Sequence, residues 1–295
     1  MSLRILQFGA TGQVASEMLR QAADRPVELM ALTRRECDLA EPAACAEVVR
    51  DARPDLVLIA AAYTAVDRAE AEPELANRIN GEAPGAIARA AHAIGAPVVH
   101  LSTDYVFDGT KGTPYTEADP VRPANAYGAS KALGDQAVLE GASRALILRT
   151  SWVVSAHGKN FVKTMLRLAA EGRPLRVVDD QSGRPTSAAD LAGFILANAA
   201  ALAAAPTGDP RFGLCNFANA GETTWRGLAE AAVAEALGDA APAVTPIATA
   251  EFPTPARRPA RGALDTHRLE TLFGYSPRPW REALRDIVAE LKVAA

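Results

Sequence analysis

Residues 3–8 form a short apolar run that stops at Gly9, and the stretch 13–23 then carries Val14, Met18, Leu19 and Ala22 at helical spacing. The chain therefore opens as strand, glycine turn, helix. The same beat continues through a strand at 27–32, a helix at 43–51, a strand at 55–62, a helix at 74–94, a strand at 97–101, a helix at 127–139 and a strand at 145–149. Residues 55–62 are almost unbroken in hydrophobicity, as a parallel strand covered by helices on both faces must be. The alternation predicts an α/β fold with a doubly wound parallel sheet of Rossmann type. Past Ser151 the rhythm loosens into a helix at 160–171, a strand at 175–178 and helices at 187–203, 224–237 and 280–292. The stretch 199–210 reads as a helix end running into a loop, and residues 242–259 are rich in proline.

Composition narrows this picture. Of 295 residues, 49% are hydrophobic, enough for a substantial core. The formal net charge is −4, from 31 basic and 35 acidic residues, so nothing draws the chain broadly toward nucleic acid or anionic lipid. Any phosphate must be held by a local site. No apolar stretch approaches the roughly 20 residues of a membrane span, and the first apolar run is too short for a secretory signal. Cys37, Cys45 and Cys215 are odd in number and lack metal-ligand spacing, so free thiols in a reducing cytoplasm are expected.

The loop Gly9-Ala10-Thr11-Gly12-Gln13-Val14-Ala15 follows a strand and opens a helix, where backbone N–H groups can approach a pyrophosphate. A plain tight turn is the alternative. Residues 1–151 are accordingly expected to form a dinucleotide-binding Rossmann domain, completed by the helix near 187–203. Residues 152–295 are expected to form mainly a smaller α+β substrate-binding lobe. At the end of the second strand stand Thr33, Arg34 and Arg35 rather than a carboxylate. Two guanidiniums suit a ribose 2′-phosphate, so NADPH is the preferred cofactor, while Asp38 keeps NADH open.

Tyr127 and Lys131 lie four residues apart, on one face of a predicted helix. A neighbouring ammonium would favour the phenolate and bring the tyrosine toward useful acidity, so Tyr127 is the candidate proton donor for carbonyl reduction. Ser102 and Thr103 directly follow an apolar strand, at the end where doubly wound sheets present ligand-facing groups. Capping or turn formation is the other reading of these hydroxyls.

The glycine loop, Thr103 and the Tyr127, Lys131 pair resemble the extended short-chain dehydrogenase/reductases. More narrowly, Ser102-Thr103-Asp104-Tyr105-Val106-Phe107-Asp108-Gly109, Arg149-Thr150-Ser151-Trp152-Val153, the segment from Gly158 to Met165, Asp180-Gln181-Ser182-Gly183-Arg184-Pro185-Thr186 and the segment from Pro253 to Pro259 are similar to the dTDP-4-dehydrorhamnose reductases. The resemblance covers essentially the whole chain. It implies reduction of dTDP-4-dehydro-6-deoxy-L-mannose to dTDP-L-rhamnose, with Tyr127 as proton donor, Lys131 as its partner and Thr103 tuning it. It further implies cofactor contacts from Asp38, Leu39, Ala61, Ala62, Tyr63, Thr64 and Ser102, beside the glycine loop and Thr33 and Arg34. Thr103, Asp104, Tyr105, Tyr127, Trp152, Asn160 and Arg258 would meet the substrate. Ala15 and Thr33 depart from the family pattern, which often has glycine and an acidic residue there, and the Ala260-Arg261-Gly262 stretch also differs. Some relatives dimerise through magnesium, and Glu17 and Glu290 are the counterpart candidates. The third carboxylate would fall at the shorter Asp190, so no resident metal is expected, and monomer and homodimer both stay open.

Among alternatives, a sugar-nucleotide dehydratase would want a second carboxylate after Asp104, where Tyr105 stands. An epimerase would retain its nicotinamide permanently. A non-catalytic subunit, of the kind that partners methionine adenosyltransferase, would have no use for intact Thr103, Tyr127 and Lys131. His100 reads as a satisfied core imidazole. His92, His157 and His267 show no ligand spacing, and Trp225 and Trp280 read as packing residues.

Overall fold

In the computed structural model, which describes residues 2–293, the longer strands are β1 (Leu3–Phe8), β2 (Val27–Leu32), β3 (Leu56–Ile59), β4 (Val98–Thr103), β5 (Ala145–Thr150), β6 (Leu175–Val178), β7 (Gly213–Asn216) and β8 (Val244–Ile247). Six of them form one sheet in the order β7-β5-β4-β3-β1-β2, parallel throughout. The continuous hydrophobicity seen at 55–62 has the expected cause: all four residues of β3 are fully buried. Edge strand β2 alternates between half-buried and exposed positions instead.

The helices are α1 (Gln13–Ala22), α2 (Pro42–Ala52), α3 (residues 73–93), α4 (Ala126–Gly141), α5 (Phe161–Ala170), α6 (Ala188–Ala204), α7 (Trp225–Leu237), α8 (His267–Phe273) and α9 (Trp280–Val293). On one face of the sheet, Val14 and Met18 of α1 share a core with Leu191 and Ile195 of α6 and with Ile5, Leu58 and Leu146 of the strands. On the other, Val49 of α2, Ile87 of α3 and Val138 of α4 cover Leu6, Val57 and Ile147. The result is a Rossmann-like α/β fold. Consecutive elements part company at β1, which has β2 on one side and β3 on the other, and such a switch point opens a crevice at the carboxyl ends of the strands.

The structure differs from the sequence reading in three places. The sixth strand, β7, comes from the second half of the chain. The proline-rich segment contains β8, which pairs parallel with β6 despite Pro246. The helix expected at 74–94 carries a π turn at Arg78–Glu82, and Gly134 of α4 packs so closely there that a Cβ would strike the main-chain oxygen of Asn80. That approach lets Asn80 reach both ways, accepting from the Tyr63 N–H (2.7 Å) and donating to Ser130 Oγ (2.9 Å).

Outside the sheet, α5, α7 and α9 pack around Val162, Leu228, Leu284 and Ile287, and β6 and β8 cover Met165 and Val233. Among the described residues no helix is long and apolar enough to cross a membrane.

Candidate active site

A cleft of about 690 Å³ opens over the carboxyl ends of β1, β2 and β3. Gly9, Ala10, Thr11 and Gly12 enter it from the first loop; Thr33, Arg34, Asp38 and Leu39 follow β2; Ala61, Ala62, Tyr63 and Thr64 follow β3. Gly9 adopts φ +104°, and a Cβ there would lie 3.0 Å from that of Ala61, so the two loops close on each other only with glycine at this position. Gln13 and Val14 do not line the cleft. Val14 faces the core, while Gln13 donates to the Val153 carbonyl (3.0 Å) and accepts from Asn160 Nδ2 (2.9 Å). What the first turn of α1 offers a phosphate is its main-chain N–H groups, which have no partner inside the helix.

Arg35, Cys37 and Ile79 also line the cleft. Arg34 pairs with Asp38 at 3.0 Å. The Ala40 N–H and, less strongly, Arg34 hold the Asp38 carboxyl below its usual range against the opposing effect of burial. One carboxylate and two guanidiniums thus share the corner beyond β2.

The carboxyl end of β4 is gripped by α4. Asn125 caps that helix, its Oδ1 accepting from the Gly128 N–H at 2.7 Å. Gly128 is pressed so near Tyr105 that a Cβ would meet the Tyr105 main-chain oxygen. Tyr127 is thereby set edge-on to Tyr105, with ring centroids 5.5 Å apart. Thr103 Oγ1 donates to Asp104 Oδ1 (3.0 Å) and accepts from the Tyr105 N–H (3.2 Å), so this hydroxyl caps a turn as well as standing beside Tyr127. The Ser102 hydroxyl is buried without a partner among the described residues.

Electrostatics here correct the sequence expectation. Tyr127 is half-buried, yet burial of its hydroxyl pushes the phenol well above its ordinary pKa, opposed chiefly by the neighbouring Thr103 hydroxyl. Lys131 is 1% exposed and donates to the Leu101 carbonyl (2.7 Å), with His100 Nε2 at 3.2 Å. Burial lowers its pKa to about 8, with Asp135 pulling the other way. His100 is held neutral by burial and by Lys131, and its Nδ1 finds no partner among the described residues, so it is not the satisfied imidazole expected. Asp135 is itself clamped by Arg149 Nε at 2.9 Å. Asp104, 3% exposed, is raised to about 7 by burial. Gly262 makes room for its carboxyl, which a Cβ would displace.

A second cleft, of about 560 Å³, lies toward the lobe and is walled by Tyr105, Phe161, Leu168, Val177 and Trp225 with Arg176 and Arg258. Arg258 pairs with Asp67 at 2.8 Å and sits over the Tyr105 ring. Neither cleft is lined by Ser102, Thr103, Asp104, Tyr127 or Lys131, but Tyr105, edge-on to Tyr127, lines the second. Trp152, expected against the substrate, adopts φ +47° and stacks on Trp225 at 3.7 Å, its indole accommodated by the missing side chain of Gly183. Trp225 therefore does more than pack: it joins Trp152 to the second cleft. Asn160 has no spare polar group for a substrate. Its Oδ1 caps α5 (Lys163 N–H, 3.0 Å) and its Nδ2 serves Gln13 and the Ser155 carbonyl. Arg261 reaches the Gly112 carbonyl at 3.3 Å and lines neither cleft.

Comparison with known proteins agrees with this architecture. Residues 3–293 match the family model described as the RmlD substrate binding domain. A dTDP-4-dehydrorhamnose reductase of Burkholderia thailandensis is 46% identical over 98% of this chain and 99% of its own. The chain belongs to the dTDP-4-dehydrorhamnose reductase family. Two solved structures of that family, from Clostridium acetobutylicum and from Bacillus anthracis, match with a TM-score of 0.91 each, at 35% and 33% identity. Each match covers 98% of this chain and 100% of the other, and the Bacillus anthracis structure is a complex with NADP.

The acidic corner is built differently from the magnesium site that the resemblance to some relatives implied. Glu17 and Glu290 do converge, but the third member is His157, whose Nε2 lies 3.6 and 3.3 Å from their carboxylates. Asp190 is instead held by Arg278 (2.8 Å) and Asn219 (2.7 Å), and Glu17 is paired with Arg20 (2.7 Å). An imidazole between two carboxylates suits zinc or a similar first-row ion better than magnesium, which prefers six oxygens. These residues do not fit magnesium.

Proposed function

We propose that this chain reduces the C4 keto group of dTDP-4-dehydro-6-deoxy-L-mannose, giving dTDP-L-rhamnose, with NADPH in the glycine-loop cleft and Tyr127 as the proton donor. Bound there, the reduced nicotinamide supplies the hydride. Main-chain N–H groups at the start of α1 hold the pyrophosphate. Arg34 and Arg35 take the 2′-phosphate, in a bidentate way that lysine would not reproduce. Tyr127 passes its proton to the sugar oxygen as negative charge develops there, and the Thr103 hydroxyl stabilises that charge beside it. Lys131, one helical turn away, donates to the ribose hydroxyls and returns a proton to the phenol. In the second cleft, Phe161 and Trp225 offer faces to the base, and Arg258 and Arg176 offer charge to the diphosphate.

The observation that carries this reading is the pairing at the end of β4: Thr103 closes that strand beside Tyr127, whose edge-on neighbour Tyr105 lines an apolar cleft bearing arginines. On this reading residues 1–151, with the help of α6, serve the dinucleotide, residues 152–295 serve mainly the nucleotide-sugar, and the enzyme works in the cytoplasm. The test is NADPH oxidation by purified protein with enzymatically generated dTDP-4-keto-L-sugar, the product being identified by NMR. Stoichiometric oxidation with formation of the L-rhamnosyl nucleotide is expected. Cofactor that stays bound and is recycled without net oxidation would instead assign an epimerase.

A further inference from the structure

Two cysteines frame the segment that brings Asp38 and Leu39 to the wall of the first cleft. Cys37 lines that wall, and Cys45 lies in α2 against the core formed with Val49 and Leu6. Their Sγ atoms are 3.2 Å apart, and Cys45 Sγ also approaches the Asp38 carbonyl at 3.4 Å. Cys37 is 8% exposed and Cys45 fully buried. Small molecules therefore reach the pair only past Cys37. Cys215, the third cysteine, is buried on β7 at the far edge of the sheet.

We propose that Cys37 and Cys45 are an oxidative modification site, a reversible disulfide formed by peroxide entering the first cleft, whose closure weakens dinucleotide binding there. The effect on binding rests on the assignment of that cleft to NADPH. The bond itself rests only on the two sulfurs. A disulfide is about 2.05 Å long, so closure needs a shift of about 1 Å between atoms already in contact. In the first step the Cys37 thiolate attacks one peroxide oxygen, the O–O bond breaks and the other oxygen leaves, protonated, as water or an alcohol. In the second, the Cys45 thiolate attacks the Cys37 sulfenic sulfur, the S–O bond breaks and water leaves. Two thiols are oxidised by two electrons and one peroxide is reduced.

The order of events follows from access: Cys37 lines the cleft, while Cys45 is fully buried with its S–H directed at the Asp38 carbonyl (3.4 Å), so peroxide meets Cys37 first. Burial raises both thiols, so the reaction is slow at neutral pH and quickens in base. Closure draws Cys37 toward α2. Cys37 is anchored to the corner through its N–H bond to the Thr33 carbonyl (3.0 Å) and is followed directly by Asp38, which holds Arg34. The groups around the ribose phosphate therefore move with the sulfur.

The full-length protein is treated with hydrogen peroxide, alkylated and digested, and its NADPH dissociation constant is measured by fluorescence before and after. A peptide joining Cys37 to Cys45, two hydrogens lighter than the reduced pair, is expected, with Cys215 still alkylatable after unfolding. NADPH affinity should fall about tenfold, as for the loss of one hydrogen bond to a charged group, and dithiothreitol should restore it. Saturating NADPH should slow cross-linking by closing the approach to Cys37. Cys45→Ala should keep the untreated affinity and show no peroxide response, while Cys215→Ala should respond like the parent. Cross-linking with unchanged affinity, or oxidation of Cys37 to sulfinic acid without the cross-link, would overturn the proposal. Untreated protein that fails to bind NADPH would overturn the cofactor assignment and with it the effect claimed here, and that result is read separately from the peptide map.

Discussion

The ammonium of Lys131 is held from β4, by the Leu101 carbonyl at 2.7 Å and His100 Nε2 at 3.2 Å, although it shares a helix face with Tyr127. Its lowered pKa, about 8, has a definite sign. Lys131 is charged below that pH and neutral above it, so kcat/KM should fall as pH rises through about 8. The Tyr127 phenol, raised by burial, stays protonated across the same interval and cannot produce that limb. A kcat/KM profile from neutral to alkaline pH checks this. Lys131→Arg should carry the limb out of the measured range, and a limb that stays in place would assign it to another group.

Tyr127→Phe removes one hydroxyl and leaves the ring against Tyr105. Loss of a positioned proton donor costs about 10²–10⁴-fold in rate, so kcat should drop by that order while the NADPH dissociation constant stays within about twofold of the parent. Stopped-flow single turnovers separate the two quantities. Undiminished single-turnover rates would take the proton donation away from Tyr127.

Replacing both Arg34 and Arg35 by Ala should raise KM for NADPH about 10- to 100-fold, the value of one or two hydrogen bonds to a charged group. KM for NADH should change little, because Asp38 remains to meet a free ribose hydroxyl. Equal losses with both cofactors would show that the arginines do not read the 2′-phosphate.

Asp104 supplies a stability signature. Its folded pKa, about 7, lies above the ordinary 3.8, so the native state binds the proton more tightly than the unfolded chain does. The fold is therefore favoured by protonation: its stability falls as pH rises from about 4 to about 7, and the cost is fully present above that. Asp104→Asn should flatten this slope and raise Tm at neutral pH relative to the parent, with little difference in acid. Thermal melts across the interval decide it, and parallel curves for the two proteins would remove Asp104 as the source.

Strands β1, β3, β4 and β5 were legible because burial on both faces leaves a plain mark, a run of apolar residues, whereas β2, half-exposed at the sheet edge, was legible from its place in the alternation. β7 has only Gly-Leu-Cys-Asn to show, and β8 contains a proline; both owe their pairing to neighbours distant in the chain. The glycine loop and Thr33 and Arg34 after β2 could be read from their places at strand ends, while the segment after β3 came from the family resemblance. The electrostatics could not, because the spacing of Tyr127 and Lys131 says nothing of the Leu101 carbonyl that holds the ammonium. Likewise no local pattern could reveal that His157 approaches Glu17, or that Asn160 spends its amide on Gln13 across 147 positions of sequence.

That last contact joins others between the same stretches, from Gln13 to the Val153 carbonyl and from Glu17 to Ser155 and His157. Asn160 starts the lobe's helix α5 and Gln13 starts the helix aimed at the dinucleotide, and one amide pair ties them together. With the Gln13 amide spent on Val153 and Asn160, the opening turn of α1 is left with main-chain donors alone to meet an anion.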